Sequence, residues 1–144
     1  MLVTSPDFLT GGRLDDRYAA SGGNAEPRIH VTQVPKGTRE LALIVHDPDA
    51  PIPYGFTHLL RYGLAGVSGL AGESTAQRDG LNDFGHRGYD GPMPPEGHGI
   101  HHYYFWVYAL DKPVLGEPSR LEFLNAYAER IIAQERMVGT YSRG

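Results

Sequence analysis

The segment Gly99–Leu110, GIHHYYFWVYAL, limits what this chain can fold into more than any other. Its density of aromatic residues favours a pleated, half-buried strand over a helix. Successive side chains of a strand point to opposite faces. His101, Tyr103, Phe105 and Val107 therefore share one side, and His102, Tyr104, Trp106 and Tyr108 the other. Glu40–His46, ELALIVH, is continuously apolar and fits a strand covered on both faces. Pro48 and Pro51 must stop it, because proline has no N–H to give to a sheet ladder. Phe56–Tyr62 is another apolar strand, trailed by Gly63, Gly66 and Gly69. Shorter strands are expected at Leu2–Ser5 with Phe8-Leu9, at Ile29–Thr32 and at Met137–Tyr141.

Punctuation between these runs is frequent. The chain has 19 glycines and 11 prolines, which suits many turns between short strands better than a helical protein. One helix is expected, opened by Ser119-x-x-Glu122. There the Ser hydroxyl accepts from an exposed helix N–H and the Glu side chain reaches back to the cap. Leu121, Leu124, Ala128, Ile131 and Ile132 keep helical spacing on one face behind it. Leu70–Met93 is glycine-rich and polar without a period, and its length makes it either functional or mobile. The sum predicts a mainly β protein, an antiparallel sandwich with a peripheral helix, as one domain over residues 1–144.

Composition narrows the function classes. There is no cysteine, which removes thiol catalysis and cysteine-ligated metal and fits a reducing compartment. The start MLVTSP lacks a basic, apolar leader, so a cytoplasmic location is expected. The longest apolar stretch, Leu41–Val45, is too short to span a bilayer. A formal net charge of −4 with scattered arginines argues against nucleic-acid binding.

Three constellations can carry chemistry. In Asp47-Pro48-Asp49-Ala50-Pro51, two carboxylates leave a buried strand on a proline-stiffened turn. They can make Asx-turns, or they can face a pocket, with Asp47 fixing the tautomer of a histidine. Histidines crowd Gly97–Tyr104, but His101 and His102 alternate to opposite faces, and HExxH is absent, so metal binding is disfavoured. Gly88–Gly97 is a loop stiffened by proline, in which glycine permits close approach to the backbone. It could equally be a rigid surface loop. No serine lies in a GxSxG elbow.

DPDAP (Asp47–Pro51), NDFG (Asn82–Gly85), GPMPPEGHGIHHYYFWVYALD (Gly91–Asp111) and VGTYSR (Val138–Arg143) occur in an order and spacing that resemble the phosphatidylethanolamine-binding protein family, closest to its bacterial and archaeal Raf kinase inhibitor-like branch. The resemblance implies a Greek-key-like β-sandwich with a few peripheral helices and a small anion pocket. By matching positions it places Asp47, Asp49, His58, Pro95, His101 and Tyr103 at that pocket. Phe56 stands where the family's W-x-H segment has tryptophan, and His102 where its GxHRY segment has arginine. The losses are an indole N–H and a fixed positive charge. The implied ligand is a phosphate-like or carboxylate anion, such as phosphoethanolamine or a phospholipid head group. His58 and His101 would be donors to it, and Asp49 would accept from an amine or brace the turn. No cofactor, metal or catalytic residue is implied. The resemblance allows a homodimer, and a regulatory module docking on a kinase or protease. A hydrolase using the Asp/His cluster is the remaining alternative.

Overall fold

The computed structural model describes residues 1–70 and 76–144. Ser74 and Thr75, in the stretch without a period, lie outside the described residues. The strands are β1 (Leu2–Thr4), β2 (His30–Thr32), β3 (Glu40–Asp47), β4 (Phe56–Ala65), β5 (Gly69–Leu70), β6 (Arg78–Asp79), β7 (His101–Leu110) and β8 (Ile131–Tyr141), with one α-helix, α1 (Arg120–Tyr127). They form two antiparallel sheets, ordered β1-β2-β5 and β6-β4-β3-β7-β8.

β3 lies at the centre of the larger sheet, and every one of its residues is buried. That is the outcome its continuous apolar run predicts. Leu41, Leu43 and Val45 pack with Ile29, Val31, Phe105 and Val107 in the core between the sheets. Ala42 and Ile44 point the other way, into a second core with Tyr62, Tyr108, Leu110 and Phe123 of α1. The alternation expected of β7 holds. His101, Tyr103, Phe105 and Val107 are all buried, whereas His102 is exposed and Tyr104 and Trp106 are half-buried.

The helix opens as its cap residues require. Glu122 N–H donates to Ser119 Oγ at 3.2 Å, and Ser119 N–H donates to Glu122 Oε1 at 2.9 Å. Its extent and buried face differ from the expectation. After Tyr127 a short 3-10 turn, Ala128–Arg130, leads straight into β8. Ile131 and Ile132 are strand residues, with Ile131 opposite Leu110 of β7. Long-range pairing with an aromatic strand overrides a helical period at these two β-branched residues. The side chain that anchors α1 is Phe123, buried against the rings of Tyr62 and Tyr108 at centroid distances of 5.6 and 5.3 Å. Leu121 is 41% exposed.

Two irregularities in β4 matter. Between Leu41 and Leu43 the partner strand advances from Leu64 to Arg61, and between Val45 and His46 from Leu59 to Thr57. Each leaves one extra residue on β4. Gly63 takes up the first with φ of 78°, and a side chain there would collide with the Ala76 carbonyl. The extra residue at the second is His58.

Phe123→Ala should lower stability by about 3–5 kcal/mol, the cost of emptying an aromatic core site. Leu121→Ala should stay within about 0.5 kcal/mol. Urea unfolding of both variants measures the difference.

Candidate functional site

At one end of the sandwich, β3 finishes where β4 and β7 begin, and a cavity of about 220 Å³ opens among the three strand ends. Asp47, Phe56, His58, Pro95, His101 and Tyr103 line it, together with Ala50, Pro51, Ile52, Phe84, Met93 and Pro94. Six of the seven residues assigned to a pocket from sequence therefore meet there. Asp49 does not.

The floor starts from Asp47, which is almost fully buried. One carboxylate oxygen accepts from Asp49 N–H at 2.7 Å, an Asx-turn that fixes the DPDAP corner. The other accepts from His101 Nδ1–H at 2.7 Å. Both sequence readings of Asp47 thus describe the same side chain. Since a carboxylate can only accept, His101 carries its proton on Nδ1, and in the neutral ring Nε2 is a lone pair. That lone pair takes Nδ1–H of His98 at 2.6 Å. His98 sits between Gly97 and Gly99, whose positive φ values of 73° and 89° fold the loop back over His101. The order is carboxylate, imidazole, imidazole, with the last one exposed.

His58 reaches the cavity through the irregularity in β4. An extra strand residue has no ladder partner, and its side chain is re-aimed by the local bend. His58 packs edge-on against Tyr103 at 5.2 Å and lies 4.9 Å from the Phe56 ring. Its Nδ1–H donates to the Asp90 carbonyl at 2.8 Å, which leaves Nε2 as the ring nitrogen for the cavity. Burial pushes its pKa below the ordinary histidine value, although the Asp90 carbonyl and the charges of Asp47 and Asp83 pull upward. Burial likewise pushes the Tyr103 hydroxyl well above its usual range, helped by Asp47 and Asp49, so it stays an O–H donor. Among the described residues neither His58 Nε2 nor the Tyr103 hydroxyl makes a hydrogen bond.

Asp49 turns outward. Its Oδ2 accepts from His102 N–H at 2.8 Å and His102 Nδ1–H at 2.7 Å. Burial raises this carboxyl and the two bonds to His102 outweigh it, leaving the pKa below the usual carboxylate value. Of the two roles expected for Asp49, it takes that of a brace. The histidine standing in the arginine position is its partner.

Sequence reasoning missed the scaffold behind the walls. Asn82, itself buried, donates to Asp90 Oδ2 at 2.8 Å and to the Gly88 carbonyl at 3.0 Å, and its own oxygen accepts from Phe84 N–H and His86 N–H. It thereby orders the segment that supplies Phe84 and, through Asp90, holds His58. The NDFG match was the available signal. Gly91 also differs from expectation. Rather than opening the backbone to a ligand, it lets the loop touch Tyr18, whose carbonyl would lie 1.9 Å from an added Cβ. Among the described residues no group of three or more His, Asp or Glu side chains is placed to hold a metal ion, and no helix is long and apolar enough to cross a membrane.

A β-sandwich that closes a small, largely apolar cavity over a buried Asp–His pair defines a pocket-bearing domain of the ligand-binding kind. The model of the phosphatidylethanolamine-binding protein family matches residues 4–142, and the chain belongs to that family. The UPF0098 protein of Aquifex aeolicus is 37% identical, over 99% of this chain and 89% of its own. Two solved structures are similar at a TM-score of 0.86. The phosphatidylethanolamine-binding protein homologue CT736 of Chlamydia trachomatis is 32% identical, covering 99% of this chain and 97% of its own. YbcL of Escherichia coli, described as a member of the mammalian family, is 29% identical, covering 99% and 98%.

Two outcomes follow from the site. Asp47→Asn should cost about 1.5–3 kcal/mol, the worth of a hydrogen bond to a charged group, and should release the fixed His101 tautomer, read from ring ¹⁵N shifts. His46 and His58 are both held below the ordinary histidine value by burial. The unfolded chain therefore binds more protons than the folded one once pH drops below about 6.5, and stability should fall from there down to the folded-state pKa values. Urea midpoints measured from pH 7 down to pH 5 check the sign.

Proposed function

We propose that this protein is a small-ligand binder whose pocket takes one phosphate-like or carboxylate group, as on phosphoethanolamine or a phospholipid head group. The observation that carries this reading is a pair of polar atoms. His58 Nε2 and the Tyr103 hydroxyl belong to side chains that are 3% and 1% exposed, line one cavity, and have no hydrogen-bond partner among the described residues. Both atoms open on the cavity instead of being sealed in the core, so a single bound group that bonds both can replace the water each would otherwise meet. Phe56, Phe84, Met93, Pro94 and Pro95 supply apolar walls that suit the carbon atoms next to such a group.

Binding is favoured over turnover. Among the described residues no serine, threonine, cysteine or lysine lines the cavity to serve the Asp47–His101–His98 series as a nucleophile. The family's name, for its part, describes a binding activity.

Inorganic phosphate titrated into ¹⁵N-labelled protein should move the resonances of residues 47, 58 and 101–103. Tyr103→Phe should weaken binding about tenfold while leaving the unfolding midpoint nearly unchanged. Undiminished affinity in that variant would remove the pocket from the account.

A further inference from the structure

The hydrogen-bond directions at the cavity restrict its ligand further than size and shape do. His58 gives its Nδ1 proton to the Asp90 carbonyl, so the neutral ring offers the cavity a lone pair. His101 gives its Nδ1 proton to Asp47, and its Nε2 is already occupied by His98. Tyr103 is then the one side-chain donor left among the lining residues. Three of the wall residues, Pro51, Pro94 and Pro95, have no backbone N–H at all. Among the described residues no lysine or arginine lines the cavity, whereas the Asp47 carboxylate does. A group carrying two negative charges would enter an apolar space beside a like charge with no cation to meet it.

We propose that the pocket admits an oxyacid group only while that group still carries a proton: the ligand's own O–H donates to His58 Nε2, and another of its oxygens accepts from the Tyr103 hydroxyl. This rests on the anion-binding reading above and narrows it: the monoester of phosphoethanolamine fits, whereas the phosphodiester of an intact phospholipid head group and an ionised carboxylate do not. The favoured ligands are phosphate and phosphomonoesters in their singly charged, protonated form. Dianions are disfavoured by charge. Phosphodiesters, singly charged but without a P–OH, leave the His58 lone pair unmatched.

His58 does not relieve this by taking up a proton itself near neutrality. It is enclosed by the rings of Phe56, Phe84 and Tyr103, with Asp47 from β3, Asp83 from the segment after β6, and the backbone of Asp90 and Gly91 as the polar groups that face it. Burial outweighs the attraction of the two carboxylates and lowers the ring's pKa from the ordinary histidine value, in line with its enclosure by three aromatic rings. The neighbouring rings His101 and His98 are engaged with Asp47 and with each other.

The test compares inorganic phosphate, methyl phosphate and dimethyl phosphate on the intact protein by calorimetry across pH. At about pH 5, below the second ionisation of a monoester near 6, methyl and dimethyl phosphate each carry one charge. Methyl phosphate should bind at least about tenfold tighter there. Above that ionisation its affinity should fall roughly tenfold per pH unit, and for inorganic phosphate, whose second ionisation lies higher, the fall should begin at correspondingly higher pH. Ring ¹⁵N shifts of the free protein should show His58 protonated at Nδ1. His58→Phe, which keeps the ring shape, should abolish the preference of monoester over diester. Equal affinity for the two esters at about pH 5, a common midpoint for both protonatable ligands, or an Nε2–H tautomer at His58 would each overturn the proposal. Absence of binding by all three at every pH would instead overturn the anion-binding reading itself.

Discussion

The hydrogen bond between Asp47 and His101 ties the structure's function to its fold. It joins the last residue of the central strand to the first residue of β7, with both side chains removed from water. In such surroundings the pair is held by direction as much as by charge, because a carboxylate can only accept and the imidazole must turn one particular nitrogen toward it. The same carboxylate also closes the DPDAP corner through Asp49 N–H. One side chain therefore sets the course of the chain leaving the sheet, the tautomer of His101, and a negative charge on the lining of the cavity.

Around that bond the polar groups fall into two tiers. Inward-facing His58 and Tyr103 each present a single, directed atom to a cavity with apolar walls, beside the paired Asp47 and His101. Outward of them, Asp49 with His102, and Asn82 with Asp90 and His86, hold the loops that carry those walls. The second tier spends its hydrogen bonds within the protein, which is why it can be exposed and still confer order. The departure at His102 belongs to this tier. An imidazole is able to brace Asp49, and the charge missing at that position lies outside the cavity. Phe56, the other departure, belongs to the first tier, where it packs on His58 and Phe84 without a polar edge.

Much of this was legible in the chain because it depends on local pattern. The uninterrupted run of β3, the alternation of β7 and the Ser119–Glu122 cap each reflect periodicity or short-range hydrogen bonding. What could not be read depends on pairing between distant segments. Ile131 and Ile132 satisfy a helical period as well as a strand, and only the pairing of Ile131 with Leu110 and of Ala133 with Ala109, on either side of Ile132, decides between the two. Phe123 was overlooked because its neighbours Leu121 and Leu124 suggested a different face. At the site, motif positions located most of the lining residues but not their roles. Asp49 and Asp47 are equivalent in the sequence and diverge only when His102 and His101 leave β7 on opposite faces. Whether His58 donates or accepts is decided by the Asp90 carbonyl, far along the chain.

The unpaired residue of β4 has a consequence of its own. Because His58 is left out of the pairing, Thr57 and Phe56 lie opposite His46 and Asp47; were His58 paired in its turn, both would change faces. The lining of the cavity is thus encoded in strand pairing as well as in residue type. Shortening β4 by that single position would let Leu59, Thr57 and Phe56 pair without a break opposite Val45, His46 and Asp47, keeping the aromatic wall and removing only the imidazole from the cavity.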